Sequence, residues 1–376
     1  MYPSLIKKAL KLAATASHLC PPNPSVGCVI IGDHDRLLGQ GQTQPTGGPH
    51  AEVMAIRDAA KNGLSVNGAT AYVTLEPCSH HGRTGPCCDA LIAAGIKKVV
   101  ATNIDPNPLV AGQGFARLRA AGVEVEVLAA DDPLAIQSRE LNIGFFSRMI
   151  RKTPWVRMKI AASLDGKTAL DNGTSQWITS PAARADGHAW RARSCAVLTG
   201  IGTVLQDNPR LDVRLVQTTR QPKVVIVDSD LKTPIDAAIF MPGRDVWIYT
   251  ATQNEPRRQR LEASGATVLF MPDTRTDGSP TGKVDLAAML LDLGRREINE
   301  LHIEAGERLN GSLIREGLVD ELLIYLAPKL LGQGRDMASW GPLNDLAQAP
   351  QLEFRSTDMV GPDLRLLARV SGRDVF

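Results

Sequence analysis

Aromatic residues are scarce in this chain of 376 residues, where Phe, Trp and Tyr together make up 4%. So few rings argue against a surface built to stack many exposed bases. Neither charge is in excess. Lys and Arg number 42 against 40 Asp and Glu; up to residue 150 the count is 13 against 12, and beyond it 29 against 28. Neither half therefore has the basic surplus of a nucleic-acid-binding domain. Apolar runs are short, and none approaches the ~20 residues of a membrane span. Residues 1–18 read as an amphipathic, lysine-bearing helix without the apolar core or cleavage site of a signal peptide, so the expected location is cytoplasmic. Cysteines are also few: Cys20, Cys28, Cys78, Cys87, Cys88 and Cys195. Six thiols in a chain this long do not suggest a disulfide framework. Kept reduced, they fit the cytosol and a metal-binding role.

What is present is an ordinary soluble composition, 43% hydrophobic and 22% charged, at a length that suggests about two to three domains. The first half alternates helix and strand patterns. Helices are expected over 4–17, 50–61, 87–94, 114–121 and 133–146. Strands are expected over 26–31, 69–75, 97–103 and 123–128. The charged stretch 148–154, ending in Pro154, marks a domain boundary, giving domains 1–147 and 148–376. The second half restarts with a strand over 155–161, and Ser180-Pro181 is a cap and first-turn pair for a helix reaching Arg193. Further strands are expected at 195–199, 223–227, 246–250, 267–270, 301–304 and 322–326, with a helix over 285–295. Residues 272–282, rich in Asp, Thr, Gly, Ser and Pro, read as a mobile surface loop. The expected fold class is α/β throughout: two three-layer domains with largely parallel sheets.

The chemistry concentrates between residues 50 and 87. His50-Ala51-Glu52 opens one helix, Glu76-Pro77-Cys78 ends a strand, and Cys87 opens the next helix. One imidazole and two thiolates suffice to hold Zn²⁺ and leave a fourth position for water. Glu52, two residues from the histidine, is placed to move protons. Zinc deaminases show His-x-Glu followed by Pro-Cys-x-x-Cys. Here eight residues rather than two separate Cys78 from Cys87. A lone His-x-Glu has little specificity and a lone cysteine is usually a packing residue. The combination in a strand–loop–helix frame is what carries the reading. Cys88, turned about 100° from Cys87 on the helix, is read as packing, as are Cys20, Cys28 and Cys195.

The run Cys78-Ser79-His80-His81-Gly82-Arg83-Thr84-Gly85-Pro86-Cys87-Cys88 and the later Asp105-Pro106-Asn107-Pro108 resemble the bifunctional riboflavin-biosynthesis deaminase–reductase family. So do Lys159-Ile160-Ala161-Ala162-Ser163-Leu164-Asp165-Gly166-Lys167, Ser175-Gln176-Trp177-Ile178-Thr179-Ser180 and Glu304-Ala305-Gly306. The resemblance covers almost the whole chain, in order. It implies a cytidine-deaminase-like N-terminal domain that removes the 2-amino group of 2,5-diamino-6-(5-phosphoribosylamino)pyrimidin-4-one. It also implies a dihydrofolate-reductase-like C-terminal domain that reduces the ribosyl to a ribityl chain with NADPH. Zinc would sit on His50, Cys78 and Cys87, with Glu52 as proton shuttle. Asn23, His80 and Arg83 would contact the pyrimidine substrate and its phosphate. Thr43 stands where members usually have histidine, and Gly48 where they commonly have glutamate, so the 40–48 loop departs from the pattern while the zinc ligands do not.

Alone, the second half says little, for no Gly-x-Gly-x-x-Gly follows its first strand. Gly200-Ile201-Gly202-Thr203 and the run from Gly306 to Ser312 each follow a strand and suit an anion, but weakly. The resemblance makes Ala161, Trp177, Thr203, Asp207, Ser229, Gly306, Glu307, Arg308, Leu309, Asn310, Gly311 and Ser312 dinucleotide contacts. It makes Ser175, Arg191, Leu211, Arg214 and Glu304 substrate contacts, two arginines suiting a sugar phosphate. By the same analogy Lys159 and Asp207 are the candidate catalytic pair. The expected partners are small pyrimidine ribose phosphates, with no nucleic acid and no membrane, and a second copy of the chain in a homodimer. The competing reading is a nucleic-acid base deaminase of the tRNA type with an accessory domain. A structural zinc module would need a fourth protein ligand, His80 or His81.

Overall fold

The computed structural model describes residues 2–80 and 85–376. The chain divides into two compact units, one ending at Lys152 and also holding Phe376, the other running from Thr153 to Val375. Helix Ile143–Arg151 continues through 147/148, so the division falls a few residues past that point. Among the described residues no helix is long and apolar enough to cross a membrane.

The first unit runs α1 (Tyr2–Ala16), β1 (Gly27–Ile31), β2 (Leu37–Gln42), α2 (Ala51–Lys61), β3 (Thr70–Val73), α3 (Cys87–Ala93), β4 (Lys98–Ala101), α4 (Gln113–Ala120), β5 (Glu124–Val127), α5 (Pro133–Leu141) and α6 (Ile143–Arg151). Its sheet order is β2-β1-β3-β4-β5. The β1 neighbours are antiparallel, and only β3-β4-β5 is parallel, so the sheet is mixed. Alternation along β1 builds the three layers: Cys28 and Ile30 face Ala51, Ala55 and Leu91 of α2 and α3, while Val29 and Ile31 face Ala9 of α1. Gly39 and Gly41 let α2 lie hard against β2, because a Cβ there would meet the Ala55 and Ala51 carbonyls at 2.1 and 2.6 Å. That close approach fixes the N-terminus of α2, where His50 is the cap residue. The single helix expected over 133–146 is two helices. Asn142 breaks them, accepting from the Ser25 N–H at 2.6 Å and donating to the Ser25 carbonyl at 2.9 Å.

The second unit begins β6 (Trp155–Ser163), β7 (Lys167–Leu170), α7 (Pro181–Arg193), β8 (Ala196–Gly200), α8 (Ile201–Asp207), β9 (Lys223–Val227), β10 (Val246–Thr250), α9 (Glu255–Ala263) and β11 (Ala266–Phe270). It continues with β12 (Pro272–Thr274), β13 (Pro280–Val284), α10 (Leu286–Arg295), β14 (Glu300–Ile303), α11 (Glu307–Arg315), β15 (Glu321–Ala327), β16 (Gly334–Asp336), β17 (Leu352–Val360) and β18 (Asp363–Val370). Nine strands form one sheet in the order β11-β10-β9-β8-β14-β6-β15-β18-β17. The first seven are parallel, and β18 and β17 close the sheet antiparallel. Ser180 caps α7 by accepting from the Ala183 N–H at 3.3 Å, with Pro181 in the first turn. One face of the sheet packs on α10 and α11 through Met289, Leu293 and Leu313; the other packs on α8 and α9 through Val204 and Leu261. Residues 272–282 are not an open loop: β12 and β13 pair as a hairpin turned at Asp277-Gly278.

Candidate active sites

Three elements bring the metal-ligand candidates of the first unit together. His50 caps α2, Cys78 lies in the segment after β3, and Cys87 is the first residue of α3. The His50 Nδ1 is 3.6 Å from the Cys78 Sγ and 3.3 Å from the Cys87 Sγ, and all three donor atoms lie within 4.8 Å of one another. Tetrahedral zinc with bonds of about 2.0–2.3 Å needs donors spaced by roughly this much, so the residues fit the ion. No other such group of three occurs among the described residues. His80, named for a fourth ligand, is not in the group; His81 and Arg83 lie outside the described residues. Cys88 points into the core beside Ala101 and Leu91, as one residue of helix rotation requires.

Electrostatics single out the same place. Cys78 accepts from the Cys87 backbone N–H at 3.4 Å, and the neighbouring Cys87 thiol above all, with His50, holds it below the usual thiol range, while Cys87 is pushed up in turn. His50 is raised by its bond to Cys78. Glu52, in the first turn of α2 and only 3% exposed, is pushed up to about 7 by burial and by the neighbouring Cys78. Two further carboxylates shape the surroundings. Glu76 accepts from the backbone N–H groups of Asp105, Gly112 and Phe115 at 3.1, 2.9 and 3.2 Å, and so ties the 105–115 segment to the Cys78 strand end. Asp105 is buried and pushed up to about 7 by that burial. Thr43 is 2% exposed and its hydroxyl accepts from the Val26 N–H at 3.0 Å, a structural bond. Asn23 is half-buried, its N–H bonded to the Cys20 carbonyl. His80 is half-buried, and its Nδ1 has no hydrogen-bond partner among the described residues.

In the second unit the polar cluster lies at the carboxyl ends of β6 and β14, where parallel sheets usually bind ligands. Register places Glu304 next to Lys159, whose Nζ is 3.9 Å from the Glu304 carboxylate. Arg191, from α7, grips the same carboxylate through Nε and Nη2 at 2.7 and 2.9 Å, and its Nη1 donates to the Asp212 carbonyl. His302 sits behind, fully buried, 3.6 Å from Glu304 and with neither ring nitrogen hydrogen-bonded. Burial lowers Lys159 and, more strongly, His302, which falls to about 3. Burial would raise Glu304, but Arg191, Lys159 and His302 together hold it far below the usual carboxylate range. Arg191 is therefore committed within the protein. Arg214, half-exposed and paired with Asp212, faces solvent, as does Arg210 on the other side of the same carboxylate.

The expected Lys159–Asp207 pair is not joined by any bond or ion pair. Asp207 is the exposed last residue of α8, raised by partial burial against the pull of Arg335. The dinucleotide candidates separate into two kinds. Gly200 and Gly306 cap α8 and α11 without a side-chain cap bond, and Thr203 Oγ1 lies 3.8 Å from where a Gly306 Cβ would be. Helix N-termini without such a bond are places where a phosphate can be received. Leu309 packs over Gly200. Glu307, Asn310 and Gly311 instead hold the 336–339 segment. The Asp336 N–H donates to Glu307, Asn310 donates to the Met337 carbonyl, and a Cβ on Gly311 would strike Ser339 O at 1.8 Å. Ser312 bonds back to Arg308 within the helix. Trp177 is 61% exposed and stacks on the Arg184 guanidinium at 4.4 Å. Ala161, Ser175 and Ser229 are half-buried at or beyond strand ends, and Leu211 is buried.

Comparison with known proteins follows the same division. Residues 2–103 match the cytidine and deoxycytidylate deaminase zinc-binding region, and residues 154–366 match the RibD C-terminal domain. The riboflavin biosynthesis protein RibD of Escherichia coli is 44% identical over 373 residues, covering 96% of each chain. The chain belongs to the RibD family. An Acinetobacter baumannii RibD structure superposes with a TM-score of 0.85 at 39% identity, covering 97% of both chains. A diaminohydroxyphosphoribosylaminopyrimidine deaminase/5-amino-6-(5-phosphoribosylamino)uracil reductase of Thermotoga maritima gives 0.84 at 32%, covering 98% of this chain and 99% of its own. As a RibD protein the chain is a deaminase and a reductase of riboflavin biosynthesis that works with zinc and NADPH. Its substrates are small pyrimidine derivatives, and the nucleic-acid deaminase reading is not favoured. Sequence reasoning gave no role to Asp212 or His302, common residue types whose place in the cluster shows only in their tertiary neighbours.

Proposed function

We propose that the first unit hydrolyses the 2-amino group from 2,5-diamino-6-(5-phosphoribosylamino)pyrimidin-4-one and that the second reduces the ribosyl chain of the product to ribityl with NADPH. The observation that carries the first half is the His50, Cys78 and Cys87 triad with buried Glu52 beside it. Zinc, when bound, supplies the Lewis acidity that makes water nucleophilic near neutral pH. Glu52 takes one proton from the attacking water to the ring nitrogen, then carries the second, from the hydroxyl now on the carbon, to the amino group, which leaves as ammonia while the carbonyl forms. Asn23, His80 and Arg83 hold the pyrimidine and its phosphate.

In the second unit Arg214 meets the substrate phosphate, and Ser175 and Leu211 flank the sugar. Glu304, clamped by Arg191, orients the ribosyl hydroxyls, while Lys159 beside it polarises the opened sugar or its imine. The turns at Gly200 and Gly306 hold the dinucleotide pyrophosphate, with Ala161, Trp177, Thr203, Asp207 and Ser229 along it. NADPH supplies the hydride; the protein orients it. The reading includes a cytoplasmic homodimer, and light scattering measures its second part. The test is to supply the diaminopyrimidine substrate with NADPH and follow both ammonia release and NADPH loss. Ammonia appearing first, with stoichiometric NADPH loss after it, is the expected result. NADPH loss without ammonia would contradict the order of the two steps.

A further inference from the structure

The segment between α8 and β9 takes a costly path. Asn208 and Leu211 both adopt positive φ, 40° and 48°, a region that side chains other than glycine rarely occupy. Such backbone persists only where the surroundings over-determine it. Here every residue from 210 to 214 is fixed by a side chain from elsewhere. Arg244 donates to the carbonyls of Arg210 and Leu211, and Arg191 to that of Asp212. Gln221 brackets Val213, accepting from its N–H at 2.7 Å and donating to its carbonyl at 2.9 Å. The Arg214 N–H donates to His188 Nδ1 at 3.2 Å. Within that frame the buried Asp212 carboxylate reaches both Arg210, at 3.0 Å, and Arg214.

Arg244 stands out among these supports. It lies just before β10, is 9% exposed, and forms no ion pair among the described residues. Its Nε donates to the Pro222 carbonyl at 3.0 Å, so one planar group ties 210–211 to 222 across the base of the segment. Only a guanidinium offers donors in that fixed fork; an ammonium is a single point. A buried guanidinium that donates to three backbone carbonyls, with the Met241 Sδ at 3.8 Å as a further partner, serves the path of the chain.

We propose that Arg244 is a positioning residue of the reductase: it splints residues 210–214 in the conformation in which Asp212 holds Arg214 toward the substrate. The proposal rests on the reading of Leu211 and Arg214 as substrate contacts. Arg244 touches no reacting atom, and its effect passes through the shape of the segment.

The test uses the full-length, zinc-loaded chain. For Arg244→Ala the KM for the deaminated substrate should rise on the order of tenfold or more, since a misplacement of about 1 Å can cost about a hundredfold. kcat should change less, and NADPH affinity and ammonia release should stay at wild type. Added guanidinium ion should lower the KM of Arg244→Ala but not that of Arg244→Lys, where the lysine chain fills the space. A lowered melting temperature with unchanged KM would make Arg244 merely structural and overturn the proposal. Should the alanine variant not fold, Arg244→Lys decides: a raised KM supports the splint and a wild-type KM overturns it. Arg214→Ala separates the two readings. If it raises KM while the Arg244 variants do not, the splint falls and the substrate reading stands. If it leaves KM unchanged, both fall.

Discussion

The deaminase unit draws its candidate metal ligands and proposed proton carrier from residues 50–87, whereas the reductase cluster draws Lys159 and Glu304 from neighbouring strands, Arg191 from the helix over them and Asp212 from the segment after α8. The first site is built from rare residue types whose spacing already restricts what they do. The second is built from common charged residues whose meaning lies in which of them end up adjacent. The two also solve the problem of buried charge differently. His50, Cys78 and Cys87 gather three donor atoms within 4.8 Å of one another, a group that a cation would complete. The reductase cluster is already balanced inside the protein, with Glu304 shared between Arg191 and Lys159.

The comparison breaks most readily at the metal. Cys78→Ser should lose nearly all of the roughly one zinc per chain, because a hydroxyl is a poor substitute for a soft thiolate. Cys88→Ser should keep it, and elemental analysis of dialysed protein measures both. Zinc retained by Cys78→Ser would remove that residue from the site.

Glu304→Ala tests the balanced cluster. Removing the carboxylate leaves Arg191 and Lys159 without their partner, a loss on the order of 3–5 kcal/mol in stability. Asp207→Asn, at an exposed helix end, should cost less than about 0.5 kcal/mol. Urea unfolding followed in the second unit reads both, and equal effects would mean that Glu304 is no more embedded than Asp207.

The smallest effect is pH-dependent. Burial holds His302 at about 3 and His188 at about 4, whereas an unfolded histidine titrates near about 6.5. The unfolded chain thus binds more protons as pH falls through that range. The stability contributed by these neutral rings is complete above about pH 6.5 and is lost as pH drops toward 4 and below. The second unit should melt lower at about pH 5 than at about pH 7, and His302→Gln should narrow the difference. An equal drop in the variant would assign the acid sensitivity elsewhere.

Much of the fold was legible where local pattern and tertiary demand agree. The helix from Ala51 to Lys61, the cap Ser180 with Pro181, and the β9 and β10 strands stand where periodicity put them. Legibility failed where a tertiary demand overrode the pattern. β2 carries Gly39 and Gly41, poor strand formers in isolation, because α2 needs the space. Asn142 splits a helix in order to bond Ser25. The hairpin of β12 and β13 is made of turn-forming residues and is mostly exposed, and its order comes from backbone pairing, a few local side-chain bonds and the single buried Val284 at its end. β17 is largely exposed and charged, and its pairing with β18 lacks a strong apolar signal. The same contrast governs the sites. The grouping of His50, Cys78 and Cys87 was legible in their spacing. The commitment of Arg191 to Glu304, of Glu307, Asn310 and Gly311 to the 336–339 segment, and of Arg244 to the 210–214 backbone was not, since nothing in the order of residues specifies those neighbours.

Glu52→Gln in the full chain, with zinc content, ammonia release and NADPH oxidation measured on one preparation, tests most directly that two separate chemistries share this polypeptide. Glutamine keeps the shape of the side chain and removes the proton carrier. Loss of a positioned general acid/base typically costs about 10²–10⁴-fold, and several proton transfers pass through this one group. The predicted result is ammonia release down by about 10³-fold or more, zinc unchanged, and NADPH oxidation with supplied deaminated substrate at the wild-type rate. Ammonia release within about tenfold of wild type, or both activities falling together, would contradict it.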